Sequence, residues 1–270
     1  MGWYIAAIVR HRRACPAVHP SALYVTSTPH PHADTLALRT LRFGAVAVVL
    51  AATPYKLFEL DRFFLPKELV LHACAALLVV LCVSRRTEQE PRGVTWVDMA
   101  LALFLALSLG STFVAQNPWI AGRAFAISLA GAGMFWSARH LARNGFGDAV
   151  VATVAGGCAL AAVTALLQAY GVDTQYFSLN RAPGGTFGNR NFVAHLSAIG
   201  VPLLVYAGLR ARRALGVSAA AIGLAVTIAA LVLSRTRGAW LATAASLPPL
   251  AIGLWRSRAL AGRVPKLKRL

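Results

Sequence analysis

Residues 218–255 read SAAAIGLAVTIAALVLSRTRGAWLATAASLPPLAIGLW, an apolar run whose only charges are Arg235 and Arg237. One helix over that range would be about 57 Å long at roughly 1.5 Å per residue, nearly twice the hydrocarbon core of a bilayer, about 30 Å. The chain must therefore turn within the run, and the turn falls at Ser234–Gly238, where the charges sit. An arginine held at mid-bilayer costs at least about 2.5–3.5 kcal/mol on insertion scales, so Arg235 and Arg237 belong at a membrane edge or in a wet cavity. The unit that results is two apolar helices joined by a short arginine-bearing turn.

Apolar runs also recur upstream. The chain is 57% apolar and only 13% charged, whereas about a quarter of the residues of a soluble domain are charged. Eight apolar segments follow one another at about 41–58, 68–83, 95–114, 121–137, 149–170, 191–209, 218–234 and 239–255. Runs of this length read as bilayer-spanning helices. The predicted fold is an all-α, polytopic integral membrane helical bundle of about eight transmembrane helices. Residues 1–38 read as a disordered, basic leader containing proline and histidine, residues 39–255 as the membrane domain, and residues 256–270 as a basic tail. The short apolar stretch Trp3–Val9 precedes its arginines, the reverse of a signal peptide. His30 and His32 flank Pro31 in the leader, where nothing fixes a metal-ligand geometry.

A net charge of +18 would suggest nucleic acid in a soluble protein. Here the basic residues form short clusters between apolar runs, which points to topology and anionic lipid headgroups instead. With the N-terminus inside, most of the 27 lysines and arginines fall on the inner side, in clusters such as Arg39/Arg42, Arg85/Arg86, Arg139/Arg143 and Arg210/Arg212/Arg213. Lys56, Arg62, Lys67, Arg123, Arg181, Arg190, Arg235 and Arg237 fall outside. The positive-inside rule then predicts N-in and C-in, with anionic lipids at the cytoplasmic face. The four cysteines, Cys15, Cys74, Cys82 and Cys158, have no paired spacing. Three of them lie in apolar runs and read as small packed hydrophobes rather than a disulfide framework.

The longest polar break in the middle of the chain is Asn180–Asn191, NRAPGGTFGNRN. Arg181 and Arg190 carry the planar fork of donors that suits phosphate oxygens. Gly184, Gly185 and Gly188 would let backbone N–H groups approach an anion closely. Asn189 and Asn191 add side-chain donors, and a helix starting near Asn191 would aim its positive end at the same place. These residues, with Thr186, Arg235 and Arg237, make a candidate site for a phosphate or diphosphate group at the outer face. A plainer reading has the glycines making tight turns and the arginines binding lipid headgroups. No Gly-Lys-Ser/Thr follows, so this is not a nucleotide P-loop, and no cofactor or metal site is expected.

Arg181 followed by GTFGNxN at Gly185–Asn191, with a helix after it, resembles the "R…GTFGNxN" signature of the bacterial O-antigen ligase and O-antigen polymerase family. Ser234–Leu241, SRTRGAWL, is similar to that family's "SRGAWL" element, and Pro66–Lys67 to a weaker one at the start of the second helix. The resemblance covers roughly 41–255. It departs at Arg190, where proline is usual, and at Thr236–Arg237, which lengthen the second element. The resemblance implies a glycosyltransferase of the bacterial inner membrane, multi-pass and active at the periplasmic face. The implied donor is a glycan on undecaprenyl diphosphate. The implied acceptor is a hydroxyl of lipid A–core, a glycan or a protein. Arg181 and Arg237 correspond to residues that would steady the diphosphate leaving group, assisted by Arg190 and Arg235, with Gly185, Thr186, Gly188, Asn189 and Asn191 around the substrate.

Family members continue into a large periplasmic segment with an essential histidine, so the resemblance implies a truncated or split member. Of the later histidines, His140 is expected inside and His72 a turn into its helix. His195 either faces the loop or packs with a hydrogen-bond partner. Glu68 and His72 are i, i+4 neighbours, too few to argue a metal site. Two other function classes fit the same composition: a small-anion transporter using the outer arginines as a funnel, and a non-catalytic membrane scaffold.

Overall fold

The computed structural model describes residues 31–54, 61–83, 94–178 and 183–256. Among these the chain is helical, with eight α-helices: α1 Pro31–Leu50, α2 Phe64–Val83, α3 Trp96–Val114, α4 Pro118–Leu141, α5 Gly147–Ala169, α6 Arg190–Arg210, α7 Ala214–Ser234 and α8 Arg237–Arg256. Five stretches are long and apolar enough to cross a membrane: α2, α3, the continuous stretch Pro118–Ala169 that contains α4 and α5, α6 and α7. That stretch is not one rod. Between its halves Asn144 and Gly145 leave helical geometry, with Gly145 at φ 90°.

Helix ends follow local chemistry. Thr95 and Asp98 form a reciprocal capping box at the start of α3, and Asn117 caps α4 ahead of Pro118, so the first free N–H groups are satisfied where each apolar run begins. The largest shift from the apolar segments is at α1, which starts at Pro31, inside the stretch assigned to a disordered leader, and ends at Leu50 rather than near 58. Hydropathy marks where a helix is greasy, not where its backbone bonds begin. Residues 31–40 mix Asp34, Arg39 and Thr40 with Leu36, Ala37 and Leu38; of the three apolar residues, Ala37 and Leu38 are buried and Leu36 is exposed.

Side-chain contacts fix the direction of each helix. Ala37, Cys82, Leu141, Phe146 and Val150 cluster at one end of the bundle; they stand at the start of α1, the end of α2, the end of α4, the α4–α5 turn and the start of α5. Arg210 at the end of α6 pairs with Asp148 at the start of α5. Arg123 at the start of α4 pairs with Glu68 at the start of α2, at the other end. Successive helices thus run in alternate directions.

The centre of the bundle is α5, α6 and α7, with α8 on α6, α1 between α2 and α5, and α4 on α2. The tightest seams use small residues: Ala161, Ala162, Ala165, Val193, Ala194, Ala230 and Ala239 are fully inaccessible. Between membrane helices, where lipid is as apolar as leucine, close backbone approach and dispersion supply the association energy. Cys74, Cys82 and Cys158 are free and buried, packed as small hydrophobes as expected. α3 packs on α4 and buries none of its residues.

Candidate functional site

The glycine-rich turn lies at the end of the bundle that carries the start of α2 and the end of α1. Gly185–Phe187 form a single 3-10 turn, Gly188 takes a left-handed conformation, and Asn189 caps α6. Arg181 lies outside the described residues, within 179–182. The residues on either side of that gap are held by one side chain. Gln168, in the last turn of α5, accepts from the amides of Gly184 and Gly185, each at 2.8 Å, and donates through Nε2 to the Ser178 carbonyl at 2.5 Å.

That clamp changes the reading of the glycines. The amides of Gly184 and Gly185 were expected to face an anion, but they are already donated within the protein. Gly185 (φ 52°) lies so close to Thr164 and Ala165 of α5, and Gly188 (φ 68°) so close to the Phe63 ring, that a Cβ at either position would overlap them. Both glycines are therefore required by left-handed backbone and close approach together. The Thr186 hydroxyl is buried and donates to the Val49 carbonyl at 2.5 Å. Gly185, Thr186 and Gly188 build the turn rather than line an open surface.

Lys67 completes this lock. Its ammonium, with the residue only 7% exposed, donates to the carbonyls of Ala51 and Val49 at the end of α1. It also lies 4.6 Å from the centroid of the Phe187 ring. A buried cation is tolerable here because the last carbonyls of a helix carry partial negative charge and an aromatic face adds to it. Arg62, also buried, donates to the carbonyls of Gln175 (3.3 Å) and Phe177 (2.9 Å), tying the α1–α2 loop to the chain that follows α5. Phe64 meets Phe192 of α6 edge-on at 5.2 Å.

The asparagines and the second arginine motif meet. Asn189 Oδ1 accepts from the Asn191 amide at 3.0 Å, and Asn191 Oδ1 accepts from the Thr236 hydroxyl at 3.0 Å. α6 and α8 are parallel, so both present their N-termini, and hence their positive dipole ends, at this end of the bundle. Arg190, Asn191, Arg235 and Arg237 are exposed there. Arg235 is the one described non-glycine residue with positive φ, at 53°. It caps α7 and turns the chain within two residues into α8. The structure thus brings together Asn189, Arg190, Asn191, Arg235 and Arg237 at one end of the bundle, while Gly185, Thr186 and Gly188 pack against α5, the end of α1 and Phe63.

Beneath Phe187 lies an apolar cavity of about 300 Å3 among α1, α2, α4, α5 and α6, bounded by Gly44, Val49, Cys74, Cys158 and Leu196. It reaches from Phe187 into the core between those helices.

The nearby carboxylates are engaged. Arg123 binds Glu68 through Nε (2.7 Å) and a terminal nitrogen (2.9 Å), and that same nitrogen reaches Asp61 at 2.5 Å. His72 donates Nδ1–H to the Glu68 carbonyl at 2.7 Å, and its Nε2 is buried without a partner. The two therefore do not converge as a ligand pair. His195, read as facing the loop or packed with a partner, is exposed on α6 and makes no described hydrogen bond. That exposure does not fit the packed alternative.

Sequence reasoning missed Gln168, Arg62 and the Lys67–Phe187 contact. A signal existed for the first: Gln168 is the single amide side chain in the apolar run 149–170, and it stands within that run's last turn. In comparisons with known proteins, the chain matches no family model, no curated protein and no solved structure. The structure defines the class: a multi-pass helical protein suited to a membrane, with a basic, donor-rich surface at one end.

Proposed function

We propose that the chain crosses the bacterial inner membrane eight times, with both termini cytoplasmic, and acts as an O-antigen ligase- or polymerase-like glycosyltransferase. The glycine-turn end then faces the periplasm and binds the diphosphate of a polyprenyl-linked glycan. The alternating helix directions, together with the excess of basic residues that the sequence puts in the segments assigned to the inner side, support this orientation.

The observation that carries the reading is the hydrogen bond between Thr236 and Asn191. It joins the two arginine motifs, which resemble the two signature elements of that family, at one end of the bundle. Arg237, with Arg235 and Arg190, offers fixed positive charge where a diphosphate would sit, and the resemblance adds Arg181, which lies outside the described residues. The apolar cavity under Phe187 suits the first isoprene units of the donor.

In the reaction, an acceptor hydroxyl oxygen attacks the anomeric carbon. The bond from that carbon to the diphosphate oxygen breaks, its electron pair goes to the diphosphate, and the hydroxyl proton is released to water. The arginines lower the barrier by stabilising charge that grows on the leaving group.

The test is glycan transfer from an undecaprenyl-diphosphate-linked donor by membranes containing Arg181→Ala or Arg237→Ala. Transfer should fall by about a hundredfold or more, with membrane insertion and expression unchanged. Transfer at the unsubstituted rate in both variants would overturn the assignment. Loss of transfer with undiminished undecaprenyl diphosphate binding would move the arginines from binding the donor to stabilising the transition state alone.

A further inference from the structure

The end of the bundle opposite the glycine turn holds a second cavity, of about 390 Å3, between the last turns of α2 and α4 and the first turn of α3. It exists because α3 packs on α4 and buries nothing of its own, which leaves space between α3 and α2. Its lining has two halves. Val79, Val83 and Gly133 form an apolar wall, and Trp136, Arg139 and Arg143 form a polar one.

The charges of the polar half are unequal in their engagement. Arg139 is paired with Asp98. That carboxylate also accepts from Trp136 Nε1 at 3.1 Å and from the Thr95 hydroxyl at 2.7 Å, so it has little capacity left. Arg143 stands one helical turn beyond Arg139, is exposed, and makes no ion pair among the described residues. The cavity therefore carries an unspent positive charge above an apolar slot. Trp136 and the 78% exposed Trp96 mark its depth as the headgroup boundary, where tryptophan concentrates.

From this geometry we infer that the α2–α3–α4 cavity binds one anionic phospholipid, with its phosphate at Arg143 and the edge of Arg139 and an acyl chain along Val79, Val83 and Gly133. A soluble anion would leave the apolar half unused, and an uncharged lipid would leave Arg143 unmatched. The site is independent of the donor surface and of the activity assigned to it. Bound there, the lipid would cover the gap behind α3 and brace the helix against α2.

The full chain in mild detergent, titrated with dioleoylphosphatidylglycerol or dioleoylphosphatidylcholine and read by native mass spectrometry, tests this. One phosphatidylglycerol should be retained per chain in preference to phosphatidylcholine. Arg143→Gln should weaken its retention roughly fivefold, the effect of one basic residue at an anionic headgroup. Arg212→Gln, exposed in the α6–α7 turn at the same end, should not change it. Gly133→Leu should also reduce retention, because even a Cβ at Gly133 would come within 3.0 Å of Val79. Equal retention of the two lipids, or equal loss from Arg143→Gln and Arg212→Gln, would overturn the site. Displacement of the lipid by an equal concentration of inorganic phosphate would reassign it to free phosphate.

Discussion

The hydroxyl of Thr236 donates to Oδ1 of Asn191 across 3.0 Å, and this bond ties the residue that leads into α8 to the first turn of α6. Thr236 sits between Arg235 and Arg237, and Asn191 follows Arg190, so the bond sets the spacing of three cationic side chains. Both partners are at least partly exposed, which keeps the energy of the bond modest. A double-mutant cycle of Asn191→Ala and Thr236→Val should give a coupling of about 0.5–1 kcal/mol in unfolding of the detergent-solubilised protein. Additive effects of the two substitutions would mean the motifs are not joined this way.

Gln168 should control the exchange of the turn's amides. Replacing it with leucine removes the acceptor shared by Gly184 and Gly185, and hydrogen exchange at those two amides should quicken on the order of tenfold. Gln168→Glu keeps an acceptor oxygen and loses only the donation to Ser178, so protection at Gly184 and Gly185 should persist. Unchanged exchange in the leucine variant would show that the amides are protected by something else.

Gly188 combines a left-handed backbone, φ 68°, with contact against the Phe63 ring. Gly188→Ala should destabilise the protein by at least about 1–2 kcal/mol, from the backbone cost plus overpacking. Adding Phe63→Ala should relieve the overlap without relieving the backbone, so the double variant should be less impaired than the two separate losses sum to. Thermal unfolding of the four proteins decides this, and strict additivity would exclude the steric component.

Arg235 holds φ 53° and ψ 26° at the end of α7, a conformation that glycine adopts freely and arginine does not. Arg235→Gly should therefore raise stability by about 1 kcal/mol. If Arg235 assists in binding the donor diphosphate, the same variant should bind undecaprenyl diphosphate more weakly. A variant both more stable and equally good at binding would assign the residue to the turn alone.

The helices were legible in the chain itself. Apolar runs, separated by charges that a bilayer interior rejects, locate α2 to α8 to within a few residues, because run length and charge placement are properties of the chain read in one dimension. α1 was placed less well, since its first turns mix polar and apolar residues and its helical character comes from packing against α2 and α5. The polar break at 180–191 and the turn at 234–238 were also visible as interruptions of hydropathy.

What each residue in those breaks does was decided by tertiary structure. The glycine amides looked available to an anion, yet Gln168, sixteen residues before Gly184, uses them. Thr186 looked like a ligand, yet its hydroxyl serves Val49, 137 residues away. Asn191 and Thr236 are 45 residues apart, and only the parallel packing of α6 and α8 makes them neighbours. A sequence states which donors and acceptors a turn contains. Which of them remain free depends on partners that arrive with other helices, and a buried polar group takes whichever partner the packing brings within 3 Å or so.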